Sequence, residues 1–204
     1  TRDCIDILNE NPVHFTPQEF VDTLSPITPR LYSISSSPKT HSREVHLTIA
    51  IVKYNNFERD RFGLATGDLS NRIEVNKTRI PVYIQPTKEF VIPEDGSKDV
   101  IMIGPGTGIA PFRAFLEQRI EENGTGRNWL FFGEVHEKST FFYKDEWFEA
   151  MKNGHLQKLT TAFSRDQEHK IYVQHRLLGN SKEVWKWLQS GSYFYVCGDK
   201  QYMA

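Results

Sequence analysis

From about Asp95 to its last residue the chain repeats one rhythm, a short apolar run followed by a helical stretch. That alternation restricts the fold to a parallel sheet with helices on both faces. The rhythm begins with Asp99-Val-Ile-Met-Ile-Gly104 and the helical Pro111-Phe-Arg-Ala-Phe-Leu-Glu-Gln-Arg-Ile120. Residues 128–135, 156–164 and 192–197 read as further strands, and residues 145–151 and 182–189 as further helices. Such sheets bind ligands at the carboxyl ends of their strands, where Gly104, Gly133, Ser164 and Gly198 fall.

The preceding part has another pattern. Residues 30–36, 44–54 and 79–93 are runs rich in Val, Ile, Thr and Tyr, separated by turn-forming stretches, and they predict antiparallel β structure. Three long strands are few for an independent domain, so a small barrel completed by segments before Thr1 is expected. Residues 1–29 carry a helical pattern around Gln18–Leu24 broken by Pro12, Pro17, Pro26 and Pro29, and read as a connecting segment. Pro93-Glu-Asp-Gly-Ser-Lys98 is the expected linker. The predicted division is 1–29, 30–94 and 95–204, an α/β unit preceded by part of an antiparallel β-barrel.

Twenty-five basic and 26 acidic residues give a formal net charge of -1, which supplies no field for attracting nucleic acid or an anionic membrane. Any anion site must be local. The only cysteines, Cys4 and Cys197, are too few for a disulfide framework or a zinc site, so a reducing compartment and no metal are expected. No apolar run reaches the roughly 18 residues that span a bilayer, and the chain reads as cytoplasmic. It also reads as a piece of a longer protein, opening on Thr1 and stopping at Met203-Ala204.

The strongest chemical signal is Gly104-Pro-Gly-Thr-Gly-Ile-Ala-Pro-Phe-Arg113, between a buried-type strand and a helix. Glycines such as Gly106 let the backbone approach a pyrophosphate, while a helix start offers unpaired N–H groups and partial positive charge. Pro111 suits the first turn, where its missing N–H costs nothing. The G-x-G-x-G spacing is not the ordinary Rossmann fingerprint.

At the end of the third strand of this unit, Ser164-Arg165 is followed by Lys170 and Tyr172-Val-Gln174. Two cations, a hydroxyl and a phenol suit a 2′-phosphate, the group that distinguishes NADPH from NADH. The alternative is a solvated loop in which Arg165 pairs with Asp166 or Glu168. Arg30-Leu-Tyr-Ser33 places Arg30 and Tyr32 on one face of a predicted strand, suited either to packing or to a pyrophosphate and a flat aromatic ligand. Ser33 would face away unless the strand bends. Gly63-Leu-Ala-Thr66, leading into a short helical pattern at Asp68–Ile73, is either an ordinary turn or a second phosphate cradle.

Together with Asn128-Trp-Leu-Phe-Phe-Gly133 and Tyr195-Val-Cys-Gly-Asp199, these motifs follow the order and spacing of the ferredoxin-reductase-like module of diflavin reductases, which the chain resembles over nearly its whole length. Thr28-Pro-Arg-Leu-Tyr-Ser33 and Ser164-Arg-Asp166 resemble most the sulfite reductase branch of that family. The resemblance implies hydride transfer from NADPH to FAD, then electron passage through an FMN domain outside this chain to a haem-containing acceptor, a sulfite-reducing haem protein first. A haem monooxygenase as acceptor, or a non-catalytic NADP-binding docking module, are the other readings. By the same resemblance Arg30, Leu31, Tyr32 and Ser33 hold FAD, with Ser33 near the reacting ring, and Thr48, Ile49, Ala50 and Tyr54 lie along it. Gly63, Leu64, Ala65 and Thr66 bind its pyrophosphate, while Gly106 and Thr107 lie beside NADPH. Ser164, Arg165, Lys170, Tyr172 and Gln174 take the 2′-phosphate, and Cys197 sits near hydride transfer with Ser33. Residues 30–94 then belong to an FAD-binding domain and 95–204 to an NADP-binding domain. Gly67 and Asp68 depart from the small residue and aromatic that often follow the flavin loop, and Asp68 adds negative charge there.

Overall fold

The computed structural model describes residues 2–198 and divides the chain into two units. The smaller runs up to Leu31 and from Ile49 to Val82; the larger holds Tyr32–Thr48 and the chain from Tyr83 onward.

In the smaller unit, α1 (Cys4–Glu10) starts where the Asp3 carboxylate accepts the Asp6 amide at 2.9 Å and Asp6 accepts the Asp3 amide at 3.0 Å. This reciprocal cap satisfies two amides that a helix start would leave unpaired. Thr16 and Glu19 repeat the device at α2 (Pro17–Asp22), inside the predicted helical pattern. Strands β1 (Lys53–Asn56) and β2 (Arg59–Phe62) form an antiparallel hairpin with Lys53 opposite Phe62. Its two turn residues, Phe57 and Glu58, have φ of 51° and 57°, the left-handed pair that matches strand twist in a two-residue hairpin. Arg59 and Arg61 on β2 pair with Asp3 and Asp6, fastening α1 to the hairpin. Helix α3 (Leu64–Asn71) begins earlier than the Asp68–Ile73 pattern predicts.

The three long strands expected at 30–36, 44–54 and 79–93 are not present. The first two contribute an isolated antiparallel bridge, Ile34 to Leu47, only the end of the second enters β1, and the third forms no strand. Alternating apolar residues mark a segment able to become a strand, but a strand needs a neighbour for its backbone groups. Here Val82 and Ile84 stay 81% and 71% exposed, and a hairpin plus a bridge stand where a barrel is expected.

In the larger unit β3 (Val100–Pro105), β4 (Asn128–Glu134), β5 (Lys158–Phe163) and β6 (Tyr193–Val196) form a parallel sheet in the order β5-β4-β3-β6. Between them run α4 (Ala110–Glu121), α5 (Glu137–Thr140), α6 (Lys144–Lys152), α7 (Val173–Gly179) and α8 (Ser181–Gln189). Strand alternation sorts the core into two layers. Val100, Met102, Leu130 and Phe132 pack with Phe112, Leu116 and Trp147, whereas Ile101, Ile103, Trp129 and Phe131 pack with Val173 and Trp187. This is the two-sided α/β sheet that the sequence rhythm predicts, and its order reverses beside β3. The binding crevice of such a sheet opens at the carboxyl ends there, between β3 and β6.

Candidate functional site

The three glycines at the end of β3 and in the turn after it have three different reasons. A Cβ on Gly104 would lie 2.7 Å from the Gly108 carbonyl and 2.7 Å from the Phe112 ring. One on Gly108 would lie 2.0 Å from the Cys197 carbonyl oxygen, so this glycine lets the loop press against the end of β6. Gly106 packs against nothing within 4 Å but holds φ of +56°, which glycine adopts without strain. The tight turn Gly106–Ile109 then leads into α4, and no side chain caps either start. With Thr107 exposed beside it, this open backbone and uncapped helix start fit a phosphate.

Across the crevice the Cys197 amide donates to the Ile103 carbonyl at 2.9 Å, continuing the β3–β6 ladder by one residue. The Ser33 side chain lies close to its thiol. Burial pushes the Cys197 thiol up from its ordinary value, and the Ser33 contact pulls it partly back. The two residues expected at hydride transfer are therefore neighbours, although 164 positions separate them in sequence. Asp199, the end of the Tyr195–Asp199 motif, lies outside the described residues.

Ser33 belongs to a segment, Tyr32–Thr48, held on the sheet unit. Arg113 of α4 donates to the Ser35 carbonyl at 2.8 Å, and Glu117, one turn later, accepts the Ser37 amide at 2.8 Å. Thr48 and Tyr143 share a hydrogen bond of 2.6 Å between hydroxyls. Ser35, Ser36 and Ser37 are buried, while Tyr32 is half-buried and Ser33 exposed. His41, Glu44 and His46 place ligand-type atoms within 4.8 Å of one another. Arg113 can only donate, so the His46 Nδ1 it reaches at 3.2 Å is an acceptor. In neutral His46 the proton then sits on Nε2 and goes to Glu44 at 3.0 Å, a hydrogen-bond chain that occupies the atoms a metal would need.

At the end of β5 the Ser164 and Arg165 amides extend the ladder to Glu134 and Val135, at 2.8 and 3.0 Å. Asp166 does not pair with Arg165. Its carboxylate accepts the Glu137 amide and meets His136 Nδ1, each at 2.8 Å, and the Glu137 amide followed by His136 holds it below the usual carboxylate range. Among the described residues neither Arg165 nor Lys170 enters an ion pair, and both are exposed. Tyr172 and His175 stack at 5.9 Å at the start of α7, with Gln174 on the same turn. This cation-bearing rim fits a phosphate monoester.

In the smaller unit lie Arg30, Leu31, Ile49, Ala50, Tyr54 and the Gly63–Thr66 turn. Arg30 is exposed, with Thr28 Oγ1 at 3.3 Å, and Tyr54 is 50% exposed. Gly63 caps α3 without a side-chain bond, leaving the first-turn amides of Leu64 and Ala65 uncapped, while Thr66 turns its hydroxyl inward to the Val52 amide at 3.2 Å. The uncapped start fits an anion; the Thr66 hydroxyl is already engaged. A Cβ on Gly67 would come 2.7 Å from that of Phe62, so this departure is a packing requirement. Asp68 lies 3.5 Å from Arg72, one turn on.

Sequence reasoning missed Gly108, Arg113 and Glu117. Arg113 lay within the quoted glycine motif, and Glu117 follows it by four residues, a spacing that puts both on one helix face.

Residues 102–204 match the family model for the oxidoreductase NAD-binding domain. The chain belongs to that family. Residues 1–67 match the model for the FAD binding domain. It is 47% identical over 98% of its length to the sulfite reductase [NADPH] flavoprotein alpha-component of Mannheimia succiniciproducens. The proteins of the same name from Aliivibrio fischeri and Shewanella sp. (strain ANA-3) are 46% and 48% identical over 98% and 91% of the chain. The chain spans about a third of the length of these relatives, 33%, 33% and 30% respectively. No helix among the described residues is long and apolar enough to cross a membrane.

Proposed function

We propose that this chain is the FAD- and NADPH-binding part of an NADPH-dependent flavoprotein reductase similar to the sulfite reductase flavoproteins. The observation that carries the reading is that Ser33 and the end of β6 at Cys197 come together beside the Gly104–Gly108 loop, at the switch point of the sheet. When bound, NADPH supplies a hydride and FAD accepts it. Gly106, Thr107 and the start of α4 would hold the nicotinamide nucleotide, with Ser164, Arg165, Lys170, Tyr172 and Gln174 around its 2′-phosphate. Arg30, Leu31, Tyr32, Thr48, Ile49, Ala50, Tyr54 and the Gly63–Thr66 turn would hold FAD.

Ser33 and Cys197 then align the two ligands, and the protein's contribution is orientation and exclusion of water. With its thiol pushed up by burial, Cys197 keeps its proton on Sγ at neutral pH. It presents a neutral, polarizable surface at the crevice rather than a nucleophile.

In the same proposal, residues 1–29 connect to other parts of a longer cytoplasmic protein, residues 30–94 belong to an FAD-binding barrel that those parts complete, and residues 95–204 form the NADP-binding domain. Electrons would pass to FMN in a domain outside this chain and then to a haem-containing acceptor, for which a sulfite-reducing haem protein is the first candidate. The relatives' names and the third of their length that the chain covers support this extension.

The test is the visible spectrum of the purified protein with FAD, before and after anaerobic NADPH. Bleaching of the bound-flavin band near about 450 nm is expected. Bound FAD that stays oxidised under saturating NADPH overturns the reading. Arg30→Ala is expected to abolish NADPH-to-dye activity through loss of FAD, and full activity in that variant rejects the FAD assignment.

A further inference from the structure

Helix α4 and the turn that leads into it reach both the segment that carries Ser33 and the strand end that carries Cys197. Its leading turn passes the strand end so closely that a Cβ on Gly108 would sit 2.0 Å from the Cys197 carbonyl oxygen. Four residues into the helix, Arg113 takes the Ser35 carbonyl at 2.8 Å, two residues beyond Ser33. Its other contacts close a ring around the same segment. Arg113 Nε and Nη2 reach Glu146 at 2.6 and 3.3 Å, and Nη1 reaches His46 Nδ1 at 3.2 Å and Glu117 at 3.0 Å. Its guanidinium carbon lies 4.8 Å from the centroid of the Tyr143 ring, whose hydroxyl meets Thr48. Only 12% of the side chain is exposed. Ser35 and His46 are also joined directly, the Ser35 amide donating to the His46 carbonyl at 2.8 Å.

We infer that Arg113 is a positioning residue, which fastens the Tyr32–Thr48 segment to α4 and thereby holds the Ser33 side chain near the Cys197 thiol. A guanidinium suits the task because its planar fork reaches a carbonyl, a ring nitrogen and two carboxylates from one fixed centre; an ammonium cannot match those directions together. A helix is stiff over one turn, so a segment held by Arg113 and a strand end touched by Gly108 share one frame. The role in hydride transfer rests on the reading above; the coupling among Arg113, Ser33 and Cys197 does not.

The experiment uses the complete protein, labelled with N-ethylmaleimide across a pH series, with the extent of reaction at Cys197 read by peptide mass spectrometry. A hydroxyl that hydrogen-bonds a thiolate stabilises the charged form, so removing it raises the titration midpoint. Ser33→Ala is expected to raise the Cys197 midpoint by about half a pH unit. Arg113→Ala is expected to raise it by the same amount, and Ser33→Ala together with Arg113→Ala by no more than either alone. Arg113→Lys keeps the charge but not the fork, is expected to show a partial shift, and decides the matter if Arg113→Ala does not fold. In rapid mixing with saturating NADPH, Arg113→Ala slows flavin reduction about tenfold while KM for NADPH stays within about twofold. A Cys197 midpoint that moves with Ser33→Ala but not with either Arg113 variant, or additive shifts in the double variant, overturns the inference. If no form of the protein reduces flavin, the functional proposal fails while the labelling result still decides the coupling.

Discussion

The two units hold themselves together by opposite means. The sheet unit buries Trp129, Trp147, Phe112, Phe131 and Phe132 almost completely on both faces of β3 and β4. Such two-sided burial of apolar area, at about 25 cal/mol per Å2, is the dominant favourable contribution to a fold. In the hairpin unit Leu64, Val75 and Val82 are 70%, 84% and 81% exposed, while the side chains that are covered include Asp6 and Arg61, at 6% and 9% exposure. There the elements are joined by charge and caps. The comparison teaches that a parallel sheet closes its core within this stretch of sequence, whereas the antiparallel part does not.

The largest expected effect is on the sheet unit. In Gly108→Ala the new Cβ meets a backbone oxygen that cannot swing aside, so the loop or the end of β6 must move. A loss of about 2–3 kcal/mol in denaturant unfolding is expected, and an unchanged midpoint would break the account of the glycine loop. Arg61→Leu leaves Asp3 and Asp6 only the more exposed Arg59 as a cationic partner among the described residues, and is expected to raise amide exchange throughout α1 while the sheet unit keeps its protection. If α1 stays protected, the hairpin unit does not depend on charge.

The same carboxylates give the contrast a pH signature. The Asp6 amide lowers the Asp3 carboxyl, followed by the Arg61 contacts, and the Asp3 amide with Arg61 lowers Asp6. Groups with depressed values stabilise the fold above the ordinary aspartate value of 3.8 and lose that contribution as pH falls through the lowered folded values. Acid titration followed by exchange is therefore expected to release α1 below that value and before the sheet. Simultaneous release would remove the distinction between the units.

Smaller effects separate surface from frame within the sheet unit. Arg165→Ala is expected to raise KM for NADPH about tenfold without changing KM for NADH, because the exposed guanidinium has no partner among the described residues to disturb. An equal rise for both nucleotides would move Arg165 away from the 2′-phosphate. Gly106→Ala, with open space around the new Cβ but φ of +56°, is expected to cost only about 1 kcal/mol. A loss as large as that of Gly108→Ala would show that the two glycines do not have different roles.

Much of the sheet was legible because its rhythm is local. The run at residues 99–104 holds all of β3 but its last residue, the run at 128–135 contains β4, and Pro111–Ile120 lies within α4. The hairpin was not legible. Phe57-Glu58 lacks the glycine or asparagine that announces such a turn, and the left-handed φ of both residues is imposed by the strands they join. The run at 79–93 misled for the complementary reason, since its alternation shows a preference for strand without a partner to pair with. Asp166 read as a competitor for Arg165, because adjacency in sequence cannot show that its carboxylate turns to the Glu137 amide.

By itself the sequence determined the parallel sheet, the glycine loop at a helix start and the cation-bearing end of β5, because strand period, glycine conformation and charge belong to neighbouring residues. Only the tertiary structure decided that Gly108 is a point of close approach to the Cys197 carbonyl, and that Arg113 ties residues 32–48 to the sheet. Those are distances between segments far apart in the chain, fixed by how the layers pack, and no local pattern of residues encodes them.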